Sequence, residues 1–141
     1  MSTLSAAINA SASALNAERT RIEVAVSNIA NADSTRGPDG KPYRRRDVVL
    51  AADDSNFETA LGQASVTGVK VAAILEDQSG FQRRYDPSHP DADGEGFVAM
   101  PNVDTPEEMV NMMAASRAYQ ANLTAIGLIR DLVQKSLELG K

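Results

Sequence analysis

At 141 residues, with a net charge of −5 and no cysteine, the chain has the material for one ordinary domain. It excludes a disulfide framework, thiolate chemistry and a cysteine-based zinc site. Aromatic residues are scarce, with three Phe, three Tyr and no Trp, and alanine supplies much of the apolar content. Alanine forms helix readily but buries little surface. A lone copy is therefore expected to be marginal, with neighbouring copies or related subunits supplying the missing burial. No apolar run approaches the ~18 residues of a membrane span, so no direct membrane insertion is expected. The N-terminus lacks the basic region and apolar core of a cleaved secretory signal. Taken alone, this points to the cytoplasm, or to export by a route that reads an uncleaved N-terminus.

The first 32 residues hold nine Ala, five Ser and four Asn, and no proline or glycine occurs before Gly37. Ile8, Leu15, Ile22 and Ile29 stand seven residues apart, with Leu4 and Val26 on the same side. This predicts a helix of roughly 30 residues, about 45 Å long, running to about Asn31, with Ser2 as N-cap. Asn, Asp and Ser side chains across residues 27–35 compete for backbone hydrogen bonds and mark its exit. Gly37-Pro38-Asp39-Gly40 is a strong turn signal, with proline presetting φ and glycine free to take positive φ.

Tyr43–Leu50 reads as a strand. Its Arg44-Arg45-Arg46 run is the most basic spot in the chain, but it is isolated in an acidic segment without aromatics to stack bases. It fits a solvated edge or a contact to an acidic neighbour, and not nucleic acid. Residues 51–65 read as a loop. Val66–Leu75 alternates as a second strand, with Gly68 as a candidate bulge. Gly80–Tyr85 and Phe97–Met100 read as two more. The expected middle is a small β unit without a deep core.

Between the last two strands, Asp86–Gly96 is acidic and rich in turns. His89, the sole histidine, lies beside Asp86 and Asp91. A hydrolase or metal-dependent enzyme built on His89, Asp86, Asp91 and Asp93 is the alternative functional reading. It lacks a nucleophile elbow or a cysteine, so a stiff structural loop is the better reading. Asp91-Ala92-Asp93-Gly94-Glu95 misses the calcium-loop pattern, with glycine at the fourth position and Asn102 at the twelfth. No metal or other cofactor is expected, and no catalysis.

A second long helix is predicted from Thr105 to Gly140, about 50 Å in length. Thr105 suits the N-cap, Pro106 the first turn, Glu108 a capping box and Gly140 a C-cap. Met109, Met112, Tyr119, Leu123, Ile126, Val133 and Leu137 describe its stripe. Met113 extends a methionine cluster suited to irregular contacts. Gly127 inside the helix costs about 1 kcal/mol relative to alanine and suggests a close helix approach. The fold class is α+β: two long terminal helices paired as a coiled-coil-like hairpin around a small β-rich middle. The seam is imperfect, interrupted by Ser11, Glu18, Arg19, Ser116 and Arg130. The divisions are 1–32, 33–104 and 105–141. Both helical ends sum to zero charge, and the excess lies in residues 33–104, with eight positive and thirteen negative groups.

Residues 24–46, centred on Ser27-Asn28-Ile29-Ala30-Asn31, resemble the N-terminal signature of bacterial flagellar rod and hook proteins. The signature positions are Ser27, Asn28, Ala30, Asn31, Gly37, Pro38 and Gly40. The Asp33-Ser34-Thr35 and Gly37–Gly40 continuation is similar to the proximal rod member of that family. So are Tyr85–Asp93, Met100–Asp104 and Glu108–Asn122. Ser34-Thr35-Arg36-Gly37 replaces the Thr-Pro-Gly of distal rod and hook members. The resemblance implies a structural subunit of the flagellar basal body whose terminal helices stack into a tube that transmits torque. It implies export through the flagellar type III apparatus without signal cleavage, to a periplasmic rod. Implied partners are other copies, proximal and distal rod subunits and the rod-base adaptor. A secretion-needle or adaptor-like helical protein is a further alternative.

Overall fold

The structure, a computed structural model, describes residues 2–53 and 67–139, with side chains from Leu4 onward. In chain order the elements are helix α1 (Ser2–Ala30), strands β1 (Arg46–Asp53), β2 (Gly68–Glu76), β3 (Gln82–Tyr85) and β4 (Phe97–Met100), and helix α2 (Thr105–Leu139). Two long helices with small sheets between them make an α+β fold. β1 pairs with β2, and β3 with β4. The β3–β4 pairing is antiparallel and places Tyr85 opposite Phe97. Their rings meet edge to face at 5.2 Å, a cross-strand contact of the favourable kind.

The strand boundaries differ from those expected. β1 starts at Arg46 and continues to Asp53, so Tyr43–Arg45 precede it and residues 51–53 are strand. The rest of the expected 51–65 loop, Val66, and the Gly140 cap lie outside the described residues, as does the Ser2 side chain. β3 omits Gly80 and Phe81. Gly40 takes φ +76° within the expected turn, where its N–H donates to the Gly37 carbonyl at 3.0 Å.

The start of α2 corrects the capping scheme. Asp104 is the cap: its carboxylate accepts the Glu107 N–H at 3.1 Å, and its carbonyl accepts that of Glu108 at 3.0 Å. Thr105 is already helical. Aspartate and threonine are both good caps, and the charged one also suits the positive end of the helix dipole. Glu108 does not reach back to close a box; it turns inward.

Compactness divides the chain into two units. One takes residues up to Thr20, Val49–Ala73, and the chain from Ala114; the other takes Arg21–Val48 and Ile74–Met113. The second holds most of the buried core: Ala25, Val98, Met100, Pro101 and Val103, with Asn28 and Glu108. The first buries Ala17 and Ala115.

The large helical side chains are covered only in part. Ile8, Leu15, Ile22 and Ile29 are half-buried, as are Met112, Tyr119, Ile126 and Val133. Leu4, Val26, Met109, Leu123 and Leu137 are exposed. Leu128, Leu132 and Leu139 form a second exposed row on α2. The buried apolar positions on the helices are alanines, Ala17, Ala25 and Ala115, and not leucines.

Candidate functional site

Asn28 lies in the last turn of α1 and is completely buried. A side-chain amide has two N–H donors and an oxygen with two acceptor sites, and Asn28 uses all four. Its Nδ2 donates to the Arg46 carbonyl at 2.8 Å and to Glu108 Oε2 at 2.9 Å. Its Oδ1 accepts from the Tyr43 hydroxyl at 2.9 Å and the Arg46 N–H at 3.0 Å. The amide thus pairs with both backbone groups of Arg46, as a neighbouring strand would. It ties the end of α1 to the root of β1 and to the first turn of α2.

Glu108 completes the junction from the other side. While Oε2 meets Asn28, Oε1 accepts from Arg45 Nε at 2.7 Å, and only 3% of the side chain is exposed. A buried carboxylate needs this pairing, because desolvation of an isolated charge is costly. Arg45 also has Asp47 and Asp77 at 3.8 Å and Glu107 at 3.9 Å. Burial, the largest single influence on its pKa, pulls it down. The Glu108 hydrogen bond and the surrounding carboxylates together outweigh that and hold the guanidinium above its usual value.

The three arginines divide their tasks. Arg44 donates to the carbonyls of Asp77 and Ser79 and lies 4.5 Å from the Phe81 ring centre. Arg45 is the buried partner of Glu108, and Arg46 stacks at 5.7 Å over Tyr43. Asn102 holds the Arg45 N–H at 2.9 Å and reaches the Asp77 carbonyl and Ser79 hydroxyl. The basic run is therefore drawn onto acidic and carbonyl neighbours.

The rest of the signature shapes the exit from α1. Asn31 Nδ2 caps the Ser27 carbonyl at 2.9 Å, and its Oδ1 accepts from Ser34. Ser27 Oγ stands 3.4 Å from the Tyr43 hydroxyl, whereas Ala30 is exposed. Gly37 closes the turn by donating to the Lys41 carbonyl at 2.7 Å. Thr35 Oγ1 and Arg36 Nη1 reach the two carboxylate oxygens of Asp91, at 2.8 and 3.3 Å.

The His89 cluster is arranged as a loop scaffold. His89 Nδ1 accepts the Asp91 N–H at 3.1 Å. Ser88 gives its hydroxyl proton to Asp86 at 2.8 Å instead of to the imidazole. Asp93 Oδ1 accepts the N–H groups of Glu95 and Phe97, and its Oδ2 meets Arg83 at 2.8 Å. Histidine, serine and carboxylates are adjacent in sequence but do not form a nucleophile–base relay.

Among the described residues, no helix is long and apolar enough to cross a membrane. No three acidic or histidine side chains gather as metal ligands among them.

The sequence relations fit this geometry. Residues 8–38, which contain the Asn28 turn, match the family described as flagella basal body rod protein. Residues 95–139, which contain Glu108, match the flagellar basal body rod FlgEFG protein C-terminal family. The chain is 49% identical to the flagellar basal-body rod protein FlgC of Salmonella typhimurium, over 92% of each chain. It is 43% identical to that of Bacillus subtilis, over 95% of this chain and 96% of the relative. The chain belongs to the FlgC family of flagellar basal-body rod proteins. The match to the FlgC of Borreliella burgdorferi, 39% identical over 96% of this chain, spans a similar extent. FlgC proteins are structural, not enzymes, and neither the hydrolase nor the needle-like alternative finds support in these relations.

Residue-level reading of the sequence marked Asn28 as signature but missed its partners Tyr43, Arg46 and Glu108, and the Arg45 that pairs with Glu108. The available signal was the pairing of opposites: the run of three arginines, and two adjacent glutamates opening the last helix. Those residues lie more than 60 positions apart, and nothing local joins them.

Proposed function

We propose that the chain is a structural subunit of the proximal part of the flagellar rod, assembling through its two terminal helices. The observation that carries this is the exposed apolar surface of those helices in a chain of the FlgC family. Leu128, Leu132, Leu137 and Leu139 are each at least 60% exposed. Rows of exposed leucine at helical spacing mark surfaces that other subunits cover.

In this reading the half-buried stripe of Ile8, Leu15, Ile22 and Ile29 packs with Met112, Tyr119, Ile126 and Val133 in a coiled-coil-like hairpin. Leu4, Val26, Met109, Leu123 and Leu137 complete the packing with adjacent subunits. Repeated heterologous contacts build an open tube segment instead of a closed dimer. The tube acts as the drive shaft that carries torque. Neighbours are other copies, proximal and distal rod subunits and the rod-base adaptor. The chain reaches the periplasmic rod through the flagellar type III export apparatus with its N-terminus uncleaved. A marginal monomer suits threading through a narrow channel, and assembly supplies stability by mass action.

Ile22→Asp tests this reading in a strain lacking its own copy of the chain. A carboxylate in the stripe should leave the protein made and soluble but absent from purified basal bodies, with motility lost. A fully motile Ile22→Asp strain would overturn the reading.

A further inference from the structure

One contact outside the Asn28 junction joins helix to sheet through a single oxygen atom. The Ser13 hydroxyl donates to the Ala10 carbonyl at 2.7 Å within α1. The same oxygen accepts the backbone N–H of Val69, in β2, at 3.0 Å. A hydroxyl has one proton to give and lone pairs to receive, so Ser13 bridges the two backbones with both capacities in use.

Gly68 makes the approach possible. A Cβ there would fall 2.8 Å from Ser13 Oγ, but 3.5 Å from Ser13 Cβ and 3.8 Å from Asp53 Cβ. The first distance is a clash and the other two are ordinary contacts. A side chain at position 68 would have to displace the hydroxyl oxygen from its present place. Asp53, on β1, meets Lys70 Nζ at 3.4 Å, so β1 is joined to β2 beside this point. Each residue is locally unfavourable: serine inside a helix competes for backbone bonds, and glycine in a strand adds nothing to packing. The glycine expected as a bulge marker is thus a site of close approach.

We propose that Ser13 and Gly68 are a positioning pair that seats the start of β2 on the first helix, and that the subunit enters its assembly only with the strand in this seat. This rests on the structural-subunit reading above. The test complements a strain lacking the chain with wild type, Ser13→Ala, Gly68→Ala and the double variant. Cellular amount, recovery in purified basal bodies and swimming are measured for each.

Gly68→Ala is expected to lose incorporation and swimming, because the added methyl evicts the hydroxyl from the Val69 N–H. Ser13→Ala is expected to lose part of both. The double variant should recover to the Ser13→Ala level, since removing the oxygen leaves a 3.5 Å contact. Residues in contact couple, so this recovery identifies the pair. A mere loss of stability lowers cellular amount in step with incorporation, so lost incorporation at wild-type cellular amount is the deciding readout. Normal incorporation of Gly68→Ala, or a double variant no better than Gly68→Ala, overturns the proposal. Failure of wild type to appear in basal bodies would instead count against the rod reading itself.

Discussion

Asn28 is the residue on which three elements depend. Truncation to alanine strands both backbone groups of Arg46, which are part-buried, and one buried oxygen of Glu108. A buried polar group left without a partner costs about 1–3 kcal/mol. Asn28→Ala is therefore expected to destabilise the folded chain by about 2–3 kcal/mol, read as a fall in the urea midpoint. Asn28→Asp is expected to be worse, despite its similar shape. It exchanges the two N–H donors for acceptors and sets a second carboxylate against Glu108. A midpoint for Asn28→Asp at or above that of Asn28→Ala would contradict the four-bond account.

The β3–β4 hairpin and its acidic loop show element-scale design. Gly96 has φ +81°, and a Cβ there would sit 3.0 Å from Tyr85 Cε2 and 3.2 Å from Pro87 Cγ. Left-handed backbone costs a side-chain-bearing residue roughly 1–2 kcal/mol, and the contacts add to it. Gly96→Ala should lower stability by about 2 kcal/mol, while Gly94→Ala, with open space at its Cβ, should change it little. Comparative thermal melts separate the two.

The same loop predicts a pH response. The Phe97 and Glu95 N–H groups, with Arg83, hold the Asp93 carboxyl below its usual range. The Ser88 hydroxyl and N–H lower that of Asp86, and the Ser79 N–H and hydroxyl lower that of Asp77. A carboxyl depressed in the folded state contributes stability above its unfolded pKa and loses it as pH falls through the folded one. The melting temperature should therefore drop on acidification through and below the ordinary carboxylate range. These groups contribute no change between neutral and mildly alkaline pH. Asp93→Asn should flatten the acid limb; an unchanged limb would contradict its role.

What could be read from the sequence follows the range over which each signal acts. The two long helices, the Gly37–Gly40 turn and four strands were legible because period, turn chemistry and β-branching are local. The cap was misplaced by one residue because Asp104 and Thr105 carry the same local signal. Glu108 was misread more deeply. Its place near a helix start looks the same whether the side chain folds back or reaches Asn28, 80 positions earlier. The stripe was legible as a period. Which of its members a single chain covers was not, since Met112 and Leu123 differ in surroundings and not in pattern.

At the scale of the whole molecule, Gly127 separates what a lone chain wants from what its setting demands. Its missing Cβ would meet nothing within 4 Å among the described residues, so no contact with them requires a glycine there. Gly127→Ala should thus firm up the isolated helix by about 1 kcal/mol, visible as higher helical ellipticity on heating. In the proposed rod packing a neighbouring subunit's backbone takes the space above that position, so swimming is expected to suffer nevertheless. A substitution that improves the part while harming the machine would make this one hydrogen atom a ruler for how closely adjoining subunits come together.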